Sequence, residues 1–289
     1  MTLIINNVKK LTQILNKNQK TIKFVPTLGN LHGGHKKLIC ESQKITGISV
    51  VSIFINPLQF DNKFDFQSYP KTLIQDIRHI KNLNVDILFA PNESFSKDIE
   101  LKNSHQYKKL IGVLCGKNRP GHFEGVIMIL SKFLNIIKPD YLFLGEKDYQ
   151  QTIIVKKLIK NMILKTKIKL IKTQRMQSGL AMSSRNCLLS STGQLHAANL
   201  FKTMKNIKRN IKKFGLLKTK LKYYKNLLIN SGFEKVNYLE IRKENDLSEI
   251  TSKPEKARIF ISANIEKIRL IDNLFVGKVK IQDKYFTNS

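Results

Sequence analysis

Residues 24–39, FVPTLGNLHGGHKKLI, hold three glycines (Gly29, Gly33, Gly34) and two histidines (His32, His35). They fall between an apolar run ending in Pro26-Thr27 and a helix-like stretch around Lys36. A strand, a glycine-rich turn and a helix start together form a receptor for phosphate. Amide N–H groups at a helix N-terminus lack partners, and the helix dipole favours an anion there. Glycine lets the backbone approach closely. Histidine adds a donor and, when protonated, a positive charge. The spacing is not that of a P-loop, which needs GxxxxGK followed by Ser or Thr, and GVLCGKN at 112–118 fails the same test. A zinc reading of the two histidines lacks a third nearby ligand and the Glu of HExxH. Each histidine alone reads as structural; two in one such loop read as functional.

Three further segments have similar character. In SIFINPLQF, 52–60, an apolar strand ends at Asn56-Pro57 and Gln59 follows. Ligands of open α/β sheets lie beyond the carboxyl ends of strands, and an uncharged amide suits a hydroxy acid. In YLFLGEKDYQQ, 141–151, Gly145, Lys147, Asp148 and Gln151 stand at another strand end. Lys147 suits the charge on phosphate oxygens and Asp148 suits ribose hydroxyls. In SGLAMSSRN, 178–186, paired hydroxyls beside Arg185 suit a mobile phosphate clamp. Taken singly, these read as a loop glutamine, a solvated helix start and an N-capped loop.

These loops need a frame. Over the first 170 residues, short apolar runs at 21–25, 49–55, 86–89, 141–144 and 167–172 alternate with helical patterns at 8–15, 34–43, 73–81 and 151–164. Continuous apolar strands point to parallel strands covered on both faces. The alternation predicts an α/β, Rossmann-like, doubly wound sheet. Beyond about residue 175 come a long amphipathic helix from Leu195 to Phe214, a helix over 219–231 and β-like runs at 236–241, 258–263 and 267–271. The expected division is therefore 1–175, carrying the nucleotide site, and 176–289, a smaller α+β domain closing over it.

The chain has 289 residues, enough for a sizeable core. Its apolar runs fall short of the roughly 20 residues of a membrane span, and the amphipathic start is not expected to be a signal peptide. Cys40, Cys115 and Cys187 form no CxxC pair, which predicts thiols in a reducing cytoplasm. The net charge of +30 comes from 43 Lys and only 8 Arg spread over all segments. That distribution predicts a solvated surface more than a nucleic-acid site, with 202–225 the densest stretch.

In order, PTLGNLHGGH, NPLQF with YPKT, RPGHFEGV, LGEKDYQQ, GLAMSSRN and IRLIDNL resemble the motif set of the pantoate–β-alanine ligases. These are HIGH-motif nucleotidyltransferases, and HGGH would be this chain's version of the motif. The resemblance covers essentially the whole chain. It implies that ATP and (R)-pantoate give pantoyl-adenylate and pyrophosphate, and that β-alanine then displaces AMP to give pantothenate. By motif position Leu28, Gly29, Asn30, Leu31, His32, Gly33, Gly34 and His35 bind ATP, with His35 placed as proton donor and His32 and Lys147 beside it in the chemistry. Gly145, Glu146, Lys147, Asp148, Gln174, Met182, Ser183, Ser184 and Arg185 complete the implied ATP site. Gln59 and Gln151 would bind pantoate, Gln59 near β-alanine too, with Ile129 and Leu130 an apolar wall for the dimethyl group. The resemblance further implies Mg²⁺ with the phosphates and a homodimer; no metal-ligating side chain is assigned, and a cytoplasmic location without nucleic-acid or membrane partners is expected. Two departures stand out: Gly33, where the family usually has Glu or Asp, leaves the loop barer, and Leu28 replaces Met. Alternatives are another adenylyltransferase of this superfamily, disfavoured by the uncharged Gln59 and Gln151, or a lysine-rich nucleic-acid binder.

Overall fold

The apolar runs of the first half form six parallel strands: β1 (Leu3–Ile5), β2 (Ile22–Thr27), β3 (Ile48–Ile53), β4 (Ile87–Phe89), β5 (Tyr141–Gly145) and β6 (Lys167–Ile171). Their order is β1-β4-β3-β2-β5-β6. This computed structural model describes residues 1–61, 63–97, 99, 101, 104–216, 219–251 and 253–280. Helices α1 (Val8–Asn16), α2 (Gly33–Gln43), α3 (Leu73–Asn82), α4 (His122–Ile137) and α5 (Tyr149–Asn161) alternate with the strands. Successive strand residues point to opposite faces. Val25, Val51, Leu88 and Phe143 pack against Leu38 and Ile39 of α2 and Ile80 of α3. Their neighbours Phe24 and Phe89 meet Phe133 of α4, with ring centroids 5.5 and 6.1 Å apart. The sheet is thus covered on both faces, as expected of a doubly wound domain.

Strand order reverses between β2 and β5, the place where such sheets open a ligand crevice. The two strands pair only at Lys23–Tyr141 and Phe24–Leu142, although β2 runs on to Thr27 and β5 to Gly145. Past that point they part, and α2 begins beside the gap.

The chain forms two compact units. The first comprises Met1–Gly112, Gly116–Gln174 and Met182–Ser184, and the second comprises Val113–Cys115, Arg175–Ala181 and the chain from Arg185. In the second, α6 (Asn199–Phe214) and α7 (Leu221–Asn230) accompany an antiparallel sheet of β7 (Lys235–Lys243), β8 (Glu255–Ile265) and β9 (Ile268–Val279). Leu200, Met204, Ile207 and Ile211 form the buried stripe of α6 and share a core with Ile259, Ile261 and Ala263 of β8.

Three elements differ from expectation. Helix α4 was not among the expected helices; it is strongly apolar, with Phe123, Val126, Ile127, Ile129, Leu130, Phe133, Leu134 and Ile137 buried. The helix expected from Leu195 is two helices, Ser191–Ala197 and α6. Strand β6 is an edge strand with exposed residues, so it is not covered like its neighbours.

Candidate active site

Between β2 and α2 the chain makes a turn fixed from within. Thr27 Oγ1 donates to Ser52 O (2.7 Å) and accepts from Gly29 N–H (3.2 Å). Gly29 has φ +83°, and a Cβ there would stand 3.1 Å from Asp76 Oδ2, so both conformation and space call for glycine. Asn30 follows at φ 48°, a left-handed conformation that asparagine tolerates. Asp76 of α3 is 2% exposed. It accepts from Asn30 N–H and Leu31 N–H, each at 2.8 Å, and from Thr72 Oγ1 at 3.0 Å. Ser184 Oγ donates to Asn30 O (3.0 Å), and Asn30 Nδ2 donates to Ser184 O (2.9 Å).

The two histidines cap α2. His32 Nδ1 accepts from Gly34 N–H (3.1 Å), and His35 Nδ1 accepts from His32 N–H (3.4 Å). A nitrogen that accepts carries no proton, so in each neutral ring the proton sits on Nε2. The rings lie 4.0 Å apart at 34°. A Cβ at Gly34 would come within 2.8 Å of His32 Cε1, so this packing requires glycine. Burial, then the neighbouring His35, then Lys147 push the His32 pKa down to about 2. Burial and then Lys147 lower His35 to about 4. At neutral pH both rings are therefore uncharged Nε2–H donors.

This geometry corrects two expectations. The amides of Asn30, Leu31, His32 and Gly34 are taken up internally, so these four are not offered to phosphate. Its outward chemistry is carried by imidazoles that act as neutral donors, not as cations. Nor is Gly33 bare. A Cβ there would lie 2.6 Å from Met182 Sδ, so the thioether already covers it.

His32, Gly34, His35, Gly145, Lys147, Asp148, Gln151, Gln174 and Met182 line one cavity of about 700 Å³, open mouth included, with Pro26, Phe143 and Leu144 as its strand walls. It is the gap where β2 and β5 part. Lys147 Nζ stands 3.8 Å from Asp148 Oδ1. Glu146 instead accepts from Thr173 N–H (3.4 Å). Met182 N–H donates to Gln174 O (2.9 Å), which joins the two segments on which those residues lie.

The remaining expected residues are placed differently. Leu28, Gly29, Asn30, Leu31 and Gly33 shape the loop, as Ser184 does through Asn30, and Ser183 lies between Met182 and Ser184. Arg185 falls in the second unit, just before the turn Asn186–Leu188. Gln59 is in the first unit, at the end of the single turn Pro57–Gln59, and is not among the cavity-lining residues described. Ile129 and Leu130 are buried in α4, 5% and 4% exposed.

Asp76, which shapes the loop, escaped sequence reading because an acid in a helical first turn reads as solvated. Arg119 and His122, part of RPGHFEGV, carried no individual assignment. Arg119 Nε donates to Asp61 Oδ1 (3.0 Å), and His122 Nδ1 lies 2.6 Å from Gln59 O.

Residues 3–275 match the family model for pantoate-beta-alanine ligase. A pantothenate synthetase of Buchnera aphidicola subsp. Acyrthosiphon pisum (strain Tuc7) is 43% identical over 277 residues, covering 93% of this chain and 97% of that protein. One from Francisella tularensis subsp. novicida is 39% identical, covering 94% and 96%. Among solved structures, a Francisella tularensis pantoate-beta-alanine ligase complexed with beta-gamma ATP and beta-alanine superposes with a TM-score of 0.79 at 36% identity, covering 95% of this chain and 98% of that one. A pantothenate synthetase from Thermus thermophilus gives 0.84 at 28% identity, covering 95% and 99%.

Proposed function

Because the chain belongs to the pantoate–β-alanine ligase family, it is a ligase that joins pantoate and β-alanine into pantothenate, and we propose that it does so through a pantoyl-adenylate. The observation that carries this reading is the convergence of His32, His35, Lys147 and Gln151 on one cavity.

In the proposed reaction a pantoate carboxylate oxygen attacks the α-phosphorus of ATP, an O–P bond forms, and the bond to pyrophosphate breaks. The amine of β-alanine then attacks the acyl carbon, AMP leaves, and the amine gives up a proton. Attack by one anion on another is slow unless the polyphosphate charge is met. Lys147 supplies a cation. The Nε2–H groups of His32 and His35 supply preset donors for the oxygen charge that grows on pyrophosphate. The phosphates would also raise both imidazole pKa values, so that His35 gains proton-donor character with nucleotide bound. Gln151 orients the hydroxy acid, and Asp148 faces the ribose. The hydrophobic strand walls favour a reacting pair held in place over freely solvated anions.

Among the described residues no three His, Cys, Asp or Glu side chains cluster to hold a metal. Asp148 is the carboxylate of the cavity wall, which fits a Mg²⁺ carried mainly by phosphate oxygens. Such an ion neutralises polyphosphate charge. Among the described residues no helix is long and apolar enough to cross a membrane. A cytoplasmic homodimer is part of the proposal, and sedimentation of the purified chain tests the dimer.

The adenylate mechanism is tested by pantoate-dependent exchange of labelled pyrophosphate into ATP without β-alanine. Exchange is expected; its absence in a sample that still forms pantothenate would exclude a free adenylate step.

A further inference from the structure

Gln59 ends a single turn, Pro57–Gln59, mounted on the first turn of α4. Asn56, fully buried, donates from Nδ2 to Gly125 O (3.0 Å) and lies 3.4 Å from Gln59 Oε1. Gly125 admits the contact because a Cβ there would lie 2.1 Å from Leu58 O and 2.7 Å from Gln59 N. The other end of the turn is held through one atom, the Gln59 carbonyl oxygen. His122 Nδ1 lies 2.6 Å from it and Arg119 Nη2 donates to it at 3.3 Å. A carbonyl only accepts, so Nδ1 carries the His122 proton. Arg119 Nη1, which only donates, lies 3.0 Å from His122 Nε2, so Nε2 accepts. Both contacts specify the same tautomer: a neutral ring protonated on Nδ1. Arg119 is itself fixed, by Asp61 at 3.0 Å and Asp65 at 3.6 Å.

We propose that Arg119 and His122 are positioning residues that set the direction of the Gln59 side chain by holding its backbone carbonyl. Arg119 donates to the same carbonyl and to His122 Nε2, and His122 delivers the short hydrogen bond. The inference rests on the reading of Gln59 as a pantoate-binding residue. A glutamine amide selects its ligand by direction, and a misplacement of about 1 Å costs up to about 10²-fold in rate.

The test is a double-mutant cycle on the full chain, with steady-state KM values for pantoate and for ATP. His122→Ala is expected to raise the pantoate KM about 10-fold or more and to leave the ATP KM unchanged, which also shows an intact fold. His122→Asn, whose amide nitrogen takes the place of Nδ1, is expected to restore most of the loss. In a Gln59→Ala background His122→Ala should add nothing, because no side chain remains to be aimed. Full additivity, or a pantoate KM unmoved by His122→Ala while Gln59→Ala raises it, would overturn the positioning role. If Gln59→Ala itself leaves the pantoate KM unchanged, the assignment of Gln59 to pantoate fails and the inference with it. In ¹⁵N-histidine-labelled protein the His122 ring should show the Nδ1–H tautomer; a ring protonated on Nε2 alone would overturn the hydrogen bond to the Gln59 carbonyl.

Discussion

Asp76→Asn isolates the device that shapes the histidine loop. The substitution keeps size and shape but turns one acceptor oxygen into a donor. Placed at Oδ1, the new amide meets Leu31 N–H; placed at Oδ2, it meets Asn30 N–H and Thr72 Oγ1, whose hydroxyl can rotate. In either orientation one backbone N–H faces another donor where water does not reach, since Asp76 is 2% exposed. A hydrogen bond to a charged acceptor contributes about 1.5–3 kcal/mol, and a stranded buried donor costs a similar amount. A net loss of about 2–3 kcal/mol follows, a factor of roughly 30 to 150 in an equilibrium constant. If the loop keeps its form, the loss appears in unfolding; if the loop lets go, it appears in nucleotide binding. Urea unfolding without ligand and calorimetric titration with ATP measure the two shares, and their sum is the prediction. Stability within about 0.5 kcal/mol of the parent, together with unchanged ATP affinity, would refute the claim that Asp76 fixes the loop.

Three further outcomes are expected. His35→Ala should lower kcat about 10²-fold, the scale of a lost preset donor, while His35→Gln, which keeps an N–H near the Nε2 position, should recover part of it; near-normal turnover of the alanine variant would misplace the chemistry. The pH dependence of stability follows from rings that stay neutral in the fold: between pH 6.5 and about 4 the unfolded chain binds more protons at His35. Stability from this ring is complete above pH 6.5 and falls as pH drops, by at most about 1.4 kcal/mol per pH unit, so His35→Gln should flatten the acid limb of an unfolding series. Finally, Gly33→Ala must displace Met182 Sδ, 2.6 Å from the added carbon, and should raise the ATP KM several-fold, read in the exchange assay; an unchanged KM would mean that the thioether moves without consequence.

Much of the frame was legible because it repeats a local signal. Apolar runs in β2, β3 and β5, each followed by a helical period, specify a parallel sheet, and the motifs fall at strand ends. Helix α4 was not legible, since it is apolar over most of its length, and an apolar run does not by itself tell helix from strand. The site was legible in its residue types and not in their states. His32 and His35 stand where a phosphate site needs donors, but only packing reveals that burial keeps them neutral and that each Nδ1 is engaged by a backbone amide. The role of Asp76 is a long-range fact, 46 residues from Asn30 in sequence, and nothing in YPKTLIQDIRHI announces it. Gly33 looked like an omission and proved to be a seat for Met182, which lies far along the chain.

In the loop after β2 the amides of Gly29, Asn30, Leu31, His32 and Gly34 are engaged by Thr27, by Asp76 and by two imidazoles before any nucleotide arrives. Its shape is therefore inherited from folding, and association does not have to impose it. A rigid receptor of this kind cannot adapt to a misfitting triphosphate, so it sorts ligands by complementarity at first contact. In thermodynamic terms, nucleotide binding here should carry little ordering entropy from the loop, and the loop amides should resist hydrogen exchange equally with and without ATP.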